Sequence, residues 1–163
     1  MRDDSGVSAL VEFRPVPADA PPASDLIEAM VAELEAFYGR IDRPGMPTAT
    51  PAEFAPPTGV CLVGFGDDGT PLAVGAVKRL DDRTGEIKRM YVAPEGRSRG
   101  LARALLEALE RAAGDLGYTR LRLDTGPRQP HARALYLSAG YREIANYNAN
   151  PAASFWGEKD LQV

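Results

Sequence analysis

The feature that most constrains this 163-residue chain is a strand, a helix and a second strand in immediate succession between Glu86 and Asp124. Glu86–Val92 reads as a strand, and a short Pro-containing loop follows it. From Gly100 to Gly117 the residues Leu101, Leu105, Leu109, Ala112 and Leu116 share one helical face. Arg103, Glu107 and Arg111 are spaced for i,i+4 pairing on another. Arg120–Asp124 then alternates as a strand. A strand that returns to its sheet through a helix runs parallel to the first, by a right-handed crossover. The rest of the chain has to supply the sheet that receives this unit.

It has the material to do so. Val60–Phe65 and Leu72–Leu80 flank the turn Asp67-Asp68-Gly69 and predict a hairpin. A second turn, Asp81–Gly85, leads into Glu86 and completes a three-strand meander. Ser8–Val16 predicts a first strand, and Ser24 can cap a helix carrying Leu26, Ile27, Met30, Val31, Leu34 and Phe37. Nine of the 14 prolines precede residue 58, and Gly39–Pro57 reads as a long irregular connection of the kind that often forms lids or binding loops. Pro130 can open a last helix ending at Gly140, with two strands near Tyr141–Asn146 and Phe155–Leu161. One domain over residues 1–163 is expected, with a mixed sheet covered by helices.

Composition narrows the function. The net charge is −4, so the surface does not advertise itself to nucleic acid or an anionic membrane, and an anionic ligand would need a local site. Cys61 and His131 are each the only residue of their type, which argues against a disulfide framework or a Cys/His zinc site; no metal is expected. Cys61 lies in GVCLVGF and reads as a buried hydrophobe. No segment approaches 18 apolar residues and the N-terminus lacks an apolar signal core, so a cytoplasmic location is expected.

A local anion site is available where Val92 gives way to the helix near Gly100. Unpaired amides and the helix dipole face outward there, Gly100 lets an oxyanion approach the backbone, and Arg97 and Arg99 add charge. The bland alternative is an ordinary helix start with solvated arginines. No G-x-x-x-x-G-K-[ST] occurs, and no G-x-G-x-x-G follows a strand.

The segment RSRGLA (Arg97–Ala102) resembles the acetyl-CoA signature Q/R-x-x-G-x-G/A of the GNAT superfamily of N-acetyltransferases. QPHARALYLSAGY (Gln129–Tyr141) resembles that family's second signature, and KRMYV, LDTGPRQ and EKDL look like words of small bacterial members. The resemblance runs from Val7 to Leu161 and is weakest from Gly39 to Pro57. It implies an α/β (α+β) fold with a central mixed, mostly antiparallel sheet of about seven strands. One parallel strand–helix–strand pair would lie at the cofactor site, and about four helices would flank the sheet.

The resemblance also implies roles. The backbone of Arg97, Ser98, Arg99, Gly100, Leu101 and Ala102 would cradle the pyrophosphate of acetyl-CoA, and Met90, Tyr91 and Val92 would pair with its pantetheine arm. Gln129 stands where the family commonly has a cofactor-contacting Asn. Tyr136 matches the tyrosine that protonates the CoA sulfur; a phenol is protonated at neutral pH, as a donor must be. Eleven residues separate Glu86 from Arg97, the spacing of the catalytic Glu in histone-type members. A base matters, because deprotonating a lysine-like amine at neutral pH costs on the order of 4–5 kcal/mol. Glu86 could equally be a structural partner of Lys88 or an arginine, with ordered water taking the proton. Tyr38, Tyr147 and Asn148, with Asn150 and Trp156, belong to segments that flank the acceptor site in this family, and Trp156 reads equally as core. His131 reads as a rim residue. Acetyl-CoA and an amine acceptor are therefore the expected partners; the sequence leaves homodimer formation open. A non-catalytic acyl-CoA-binding regulatory module is the alternative, which would have no need of Tyr136. A ligand-free interaction domain is a third.

Overall fold

The computed structural model describes residues 11–39, 49–127 and 129–162. Strand β1 is Glu12–Pro15 and helix α1 is Ala23–Tyr38. The meander follows as β2 (Val60–Phe65), β3 (Pro71–Arg79) and β4 (Thr84–Val92). Helix α2 is Leu101–Asp115, β5 is Arg120–Thr125 and α3 is Pro130–Ser138. The tail supplies β6 (Arg142–Glu143) and β7 (Phe155–Asp160). The seven strands form one sheet in the order β1-β2-β3-β4-β5-β7-β6. Every neighbouring pair is antiparallel except β4 and β5, the parallel pair joined through α2.

Three expectations need correction. The described residues contain three α-helices rather than about four; Pro51–Phe54 and Pro94–Gly96 are only 3-10 turns. Ser24 does not cap α1. The chain is already helical at Ala23, and the Ser24 amide bonds back to the carbonyl of Ala20. The strand expected over Tyr141–Asn146 is cut to two residues. Beyond it the side chain of Asn146 accepts the amides of Asn148 and Ala149 and turns the chain over the sheet. Residues 1–10 and 40–48, including the start of the expected first strand and most of the irregular connection, lie outside the described residues.

Each face of the sheet is closed by its own helices. On one side Leu105, Leu106 and Leu109 of α2 pack with Leu121, Leu123 and Phe155, all but excluded from water. Each such side chain contributes about 1.5–3 kcal/mol relative to staying exposed. Gly75 of β3 permits this approach, since a Cβ there would sit 2.7 Å from the Leu109 side chain. Arg103 commits its guanidinium to Ser138 of α3, so α2 is tied to α3 where the sequence suggested a pair with Glu107. On the other side Ala23 and Leu26 of α1 and Phe54 cover Cys61, Val63, Val74 and Ala76. Burial pushes the Cys61 thiol up to about 11, as expected of a cysteine used as a small hydrophobe.

The sheet is interrupted where it matters. β4 and β5 pair only from Thr84–Glu86 against Arg120–Arg122, although β4 runs on to Val92 and β5 to Thr125. Each strand keeps its outer neighbour along the rest of its length, so the two diverge as a V. The divergence coincides with a bulge in β4. Val74 pairs with Tyr91 and Ala76 with Lys88, leaving Arg89 and Met90 opposite the single residue Gly75, and Arg89 has a positive φ of 59°. Backbone donors and acceptors on the facing edges of the V lack a strand partner.

Candidate active site

The V opens into a cavity of about 690 Å³. β4 contributes Glu86, Lys88 and Met90, β5 contributes Asp124, α3 contributes Tyr136, and the tail contributes Asn148 and Asn150. Its outer wall is the apolar face of α1, with Ile27, Met30, Val31 and Leu34. The helical stripe read in the sequence is therefore shared between core and cavity.

Glu86 is 2% exposed, and its carboxylate is surrounded by donors. Oε2 accepts the Tyr147 hydroxyl at 2.5 Å and the Asn148 amide at 3.3 Å. Oε1 stands 3.6 Å from Lys88 Nζ and 4.0 Å from Lys78 Nζ. The Asn148 amide reaches Asp124 Oδ2 as well, at 2.5 Å, while its Oδ1 accepts the Trp156 indole N–H at 2.9 Å. Trp156 thus fixes the orientation of the amide that bridges the two carboxylates. Burial, and then the negative charge of Glu86, raise the Tyr147 phenol well above its ordinary value, so it stays a donor.

Tyr136 is also buried, edge-on to Tyr141 with ring centroids 6.0 Å apart. Its hydroxyl meets the Met90 sulfur at 3.7 Å. A thioether is a weak acceptor, so this proton is free for a stronger one. Burial, reinforced by the charge of Asp124, keeps the phenol protonated far above neutral pH. Gln129 lines the same cavity, and its carbonyl accepts the Gly126 amide and the Thr125 hydroxyl, bracing the β5–α3 loop.

The anion site has the expected form but a different use of charge. α2 begins after Gly100, whose φ is +74°, with no side-chain cap; the first intrahelical bond is Ala104 N–H to the Gly100 carbonyl. The amides of the first turn therefore point outward without helical partners. A Cβ on Gly100 would meet nothing within 4 Å. The Ser98 backbone also has a positive φ, 62°. Arg97, however, is turned inward. Its guanidinium grips both oxygens of Glu33 on α1 at 2.7 and 2.9 Å, and its Nε donates to the Val92 carbonyl at 3.0 Å. The Tyr91 hydroxyl joins the same carboxylate at 2.8 Å, so Tyr91 faces α1 and not the V. Arg99 donates to the Glu95 carbonyl.

Of the residues singled out from sequence, Glu86, Met90, Gln129, Tyr136 and Asn148 converge on the cavity, with Tyr147 one hydrogen bond behind. Val92 and Leu101 turn their side chains into the core, which leaves only their backbone for a ligand. The Tyr38 side chain lies outside the described part of the structure. His131 is exposed. Sequence reasoning missed Lys78, Asp124 and Glu33. Strand alternation could have found the first two, since Lys78 is the register partner of Glu86 and Asp124 shares a face with Arg122.

Comparison with known proteins agrees with this geometry. Residues 27–141 match the model of the Acetyltransferase (GNAT) family. The uncharacterized N-acetyltransferase YsnE of Bacillus subtilis is 37% identical over 90 residues, covering 52% of this chain and 60% of the relative. The chain thus spans about 60% of the length of the curated relatives it matches. An acetyltransferase of the GNAT family from Staphylococcus aureus superposes with a TM-score of 0.76 at 14% identity, over 93% of this chain and 99% of that one. A GNAT family acetyltransferase from Elizabethkingia anophelis, solved with acetyl-CoA bound, gives 0.65 at 18% identity over 93% and 99%. With the family match running from α1 through the helix that carries Tyr136, this chain belongs to the Acetyltransferase (GNAT) family.

Proposed function

We propose that the protein transfers the acetyl group of acetyl-CoA to a primary amine of a small molecule or of a peptide or protein. The observation that carries this reading is the V between β4 and β5, which puts a protonated phenol and a buried carboxylate into one cavity. The unpaired edge of β4 from Met90 to Val92 can take an extended amide-bearing arm as an added strand. The amides from Ser98 to Ala102 can hold a pyrophosphate, with the helix dipole adding about 0.3–1 kcal/mol. Arg97 serves that cradle indirectly, by fixing the loop to Glu33.

In the reaction the amine nitrogen bonds to the thioester carbonyl carbon and the carbon–sulfur bond breaks. The amine proton goes to Glu86 Oε1, directly or through a water, because Oε2 is occupied by Tyr147 and Asn148. The departing sulfur takes the proton of Tyr136. Both groups exchange protons with solvent before the next turnover.

Thiol release from acetyl-CoA across a panel of amines, with acetylated product identified by mass spectrometry, tests the reading. Acetyl-CoA binding with no acetylated product from any amine would instead support a binding module. The role of Glu86 has its own measurement. Glu86→Gln should lower kcat/KM at neutral pH by more than about tenfold, with activity returning only as free amine accumulates at high pH. Profiles that superimpose apart from a constant factor below about tenfold would show that Glu86 is only structural.

A further inference from the structure

We infer that the acceptor carries a carboxylate beside its amine and an apolar substituent, the pattern of a free apolar amino acid. This rests on the acetyl-transfer reading and narrows its acceptor.

The supply of hydrogen bonds inside the cavity is lopsided. Each carboxylate accepts neutral donors on one oxygen: Glu86 Oε2 from Tyr147 and Asn148, Asp124 Oδ2 from Asn148 and Asn150. The ammonium groups are held at longer range, in ion pairs. Lys78 Nζ stands 3.5 Å from Glu53 and 4.0 Å from Glu86. Lys88 Nζ stands 3.6 Å from Glu86 and 3.4 Å from Asp124. Lys88 to Asp124 is a hydrogen bond, but a long one beside the about 2.7–2.9 Å of a tight charge-assisted bond, so most of the ammonium donors stay unspent on these carboxylates. Each ammonium carries three donors. The side chains are 18% and 21% exposed, so these donors are partly desolvated, where an anionic partner is held more strongly than in water.

Position adds direction. Lys78 pairs with Glu86 across β3 and β4, and Lys88 follows two residues on, so the two ammonium groups flank the carboxylate proposed as base. The opposite wall is apolar, built by Met30, Val31 and Leu34 of α1. A ligand that lays its carboxylate between the lysines, its apolar group on α1 and its amine beside Glu86 satisfies all three surfaces. A diamine would put a second cation against two lysines. A peptide N-terminus has no carboxylate next to its amine and would leave the lysine donors unmet.

The test compares leucine with leucinamide and 3-methylbutylamine, and methionine with methioninamide and 3-(methylthio)propylamine, by thiol release from acetyl-CoA. The free acids should exceed both carboxylate-free partners by about tenfold or more in kcat/KM, mainly through KM. Lys78→Met and Lys88→Met should shrink that ratio towards unity, and the corresponding Lys→Arg variants should restore most of it. Equal or reversed preference in the wild type would overturn the inference. So would lysine variants that lower acid and amine alike, since a merely structural role leaves the ratio unmoved. Calorimetric titration with acetyl-CoA alone separates the two levels. Binding without turnover of either free acid removes the acceptor assignment. No binding and no thiol release removes the acetyl-transfer reading itself.

Discussion

Tyr136→Phe is expected to lower kcat by roughly 10–1,000-fold while acetyl-CoA binding persists, at or below the usual range for a general acid. The ring stays in place in the variant. Its edge-on packing against Tyr141 is retained, and among the described residues the missing hydroxyl forgoes only its weak hydrogen bond to the Met90 sulfur. Stability should therefore change by less than about 1 kcal/mol. The lower end of the range follows from the leaving group. A thiol of pKa about 8.5 departs at a modest cost even without help, about 2 kcal/mol at neutral pH. The check is kcat under conditions where chemistry limits turnover, with binding followed separately by calorimetry. An unchanged kcat would reduce Tyr136 to a packing residue.

Gly100→Val should weaken acetyl-CoA binding by at least about tenfold, through two effects that the structure separates. The backbone at Gly100 has a φ of +74°, a conformation that costs an L residue about 1–2 kcal/mol and a β-branched one more. A Cβ there would meet no protein atom within 4 Å, so the second effect, obstruction of the ligand, acts on the ligand alone and not on the fold. Arg97→Ala should cost less, below about fivefold, because that guanidinium is committed to Glu33 and Val92 and lies nearly half exposed. Calorimetric affinities for both variants decide the order, with circular dichroism confirming that α2 persists. A folded Gly100→Val that binds like wild type would move the pyrophosphate site elsewhere.

Much of this was legible in the chain because local chemistry and tertiary use coincide. The Asp-Gly turn between the apolar runs of β2 and β3 and the single apolar face of α2 predict a hairpin and a helix, and the structure adopts both. Of the candidate site, the resemblance to two signatures singles out Gln129 and Tyr136, which line the cavity, and Gly100, which precedes α2 with a positive φ. The site was not legible where it depends on distant partners. Glu33 lies 64 residues from Arg97, and nothing in a helix with polar residues on its outer face marks one glutamate as the anchor of a loop. The bulge at Arg89 was equally hidden. A run of Lys88, Arg89 and Met90 contains no glycine to betray a positive φ, so strict alternation was the natural reading.

That bulge makes β4 a strand with two phases. Before it, Glu86 and Lys88 face α1 while Ile87 enters the α2 core. After it, Met90 and Val92 join the α2 side, and Tyr91 turns to Glu33 on α1. Arg89 and Lys88 consequently lie as neighbours on the α1 side, where ordinary pleating would set them on opposite faces. Removing Arg89 would restore ordinary alternation: Lys88 would still face α1, Met90 the α2 side and Tyr91 Glu33, and only the bulge itself would be lost. Deleting Arg89 should thus preserve the fold and the later contacts while removing the kink that coincides with the V. The strand behaves as two short words joined by a hyphen, Glu86 and Lys88 on one side of it and Met90 and Tyr91 on the other.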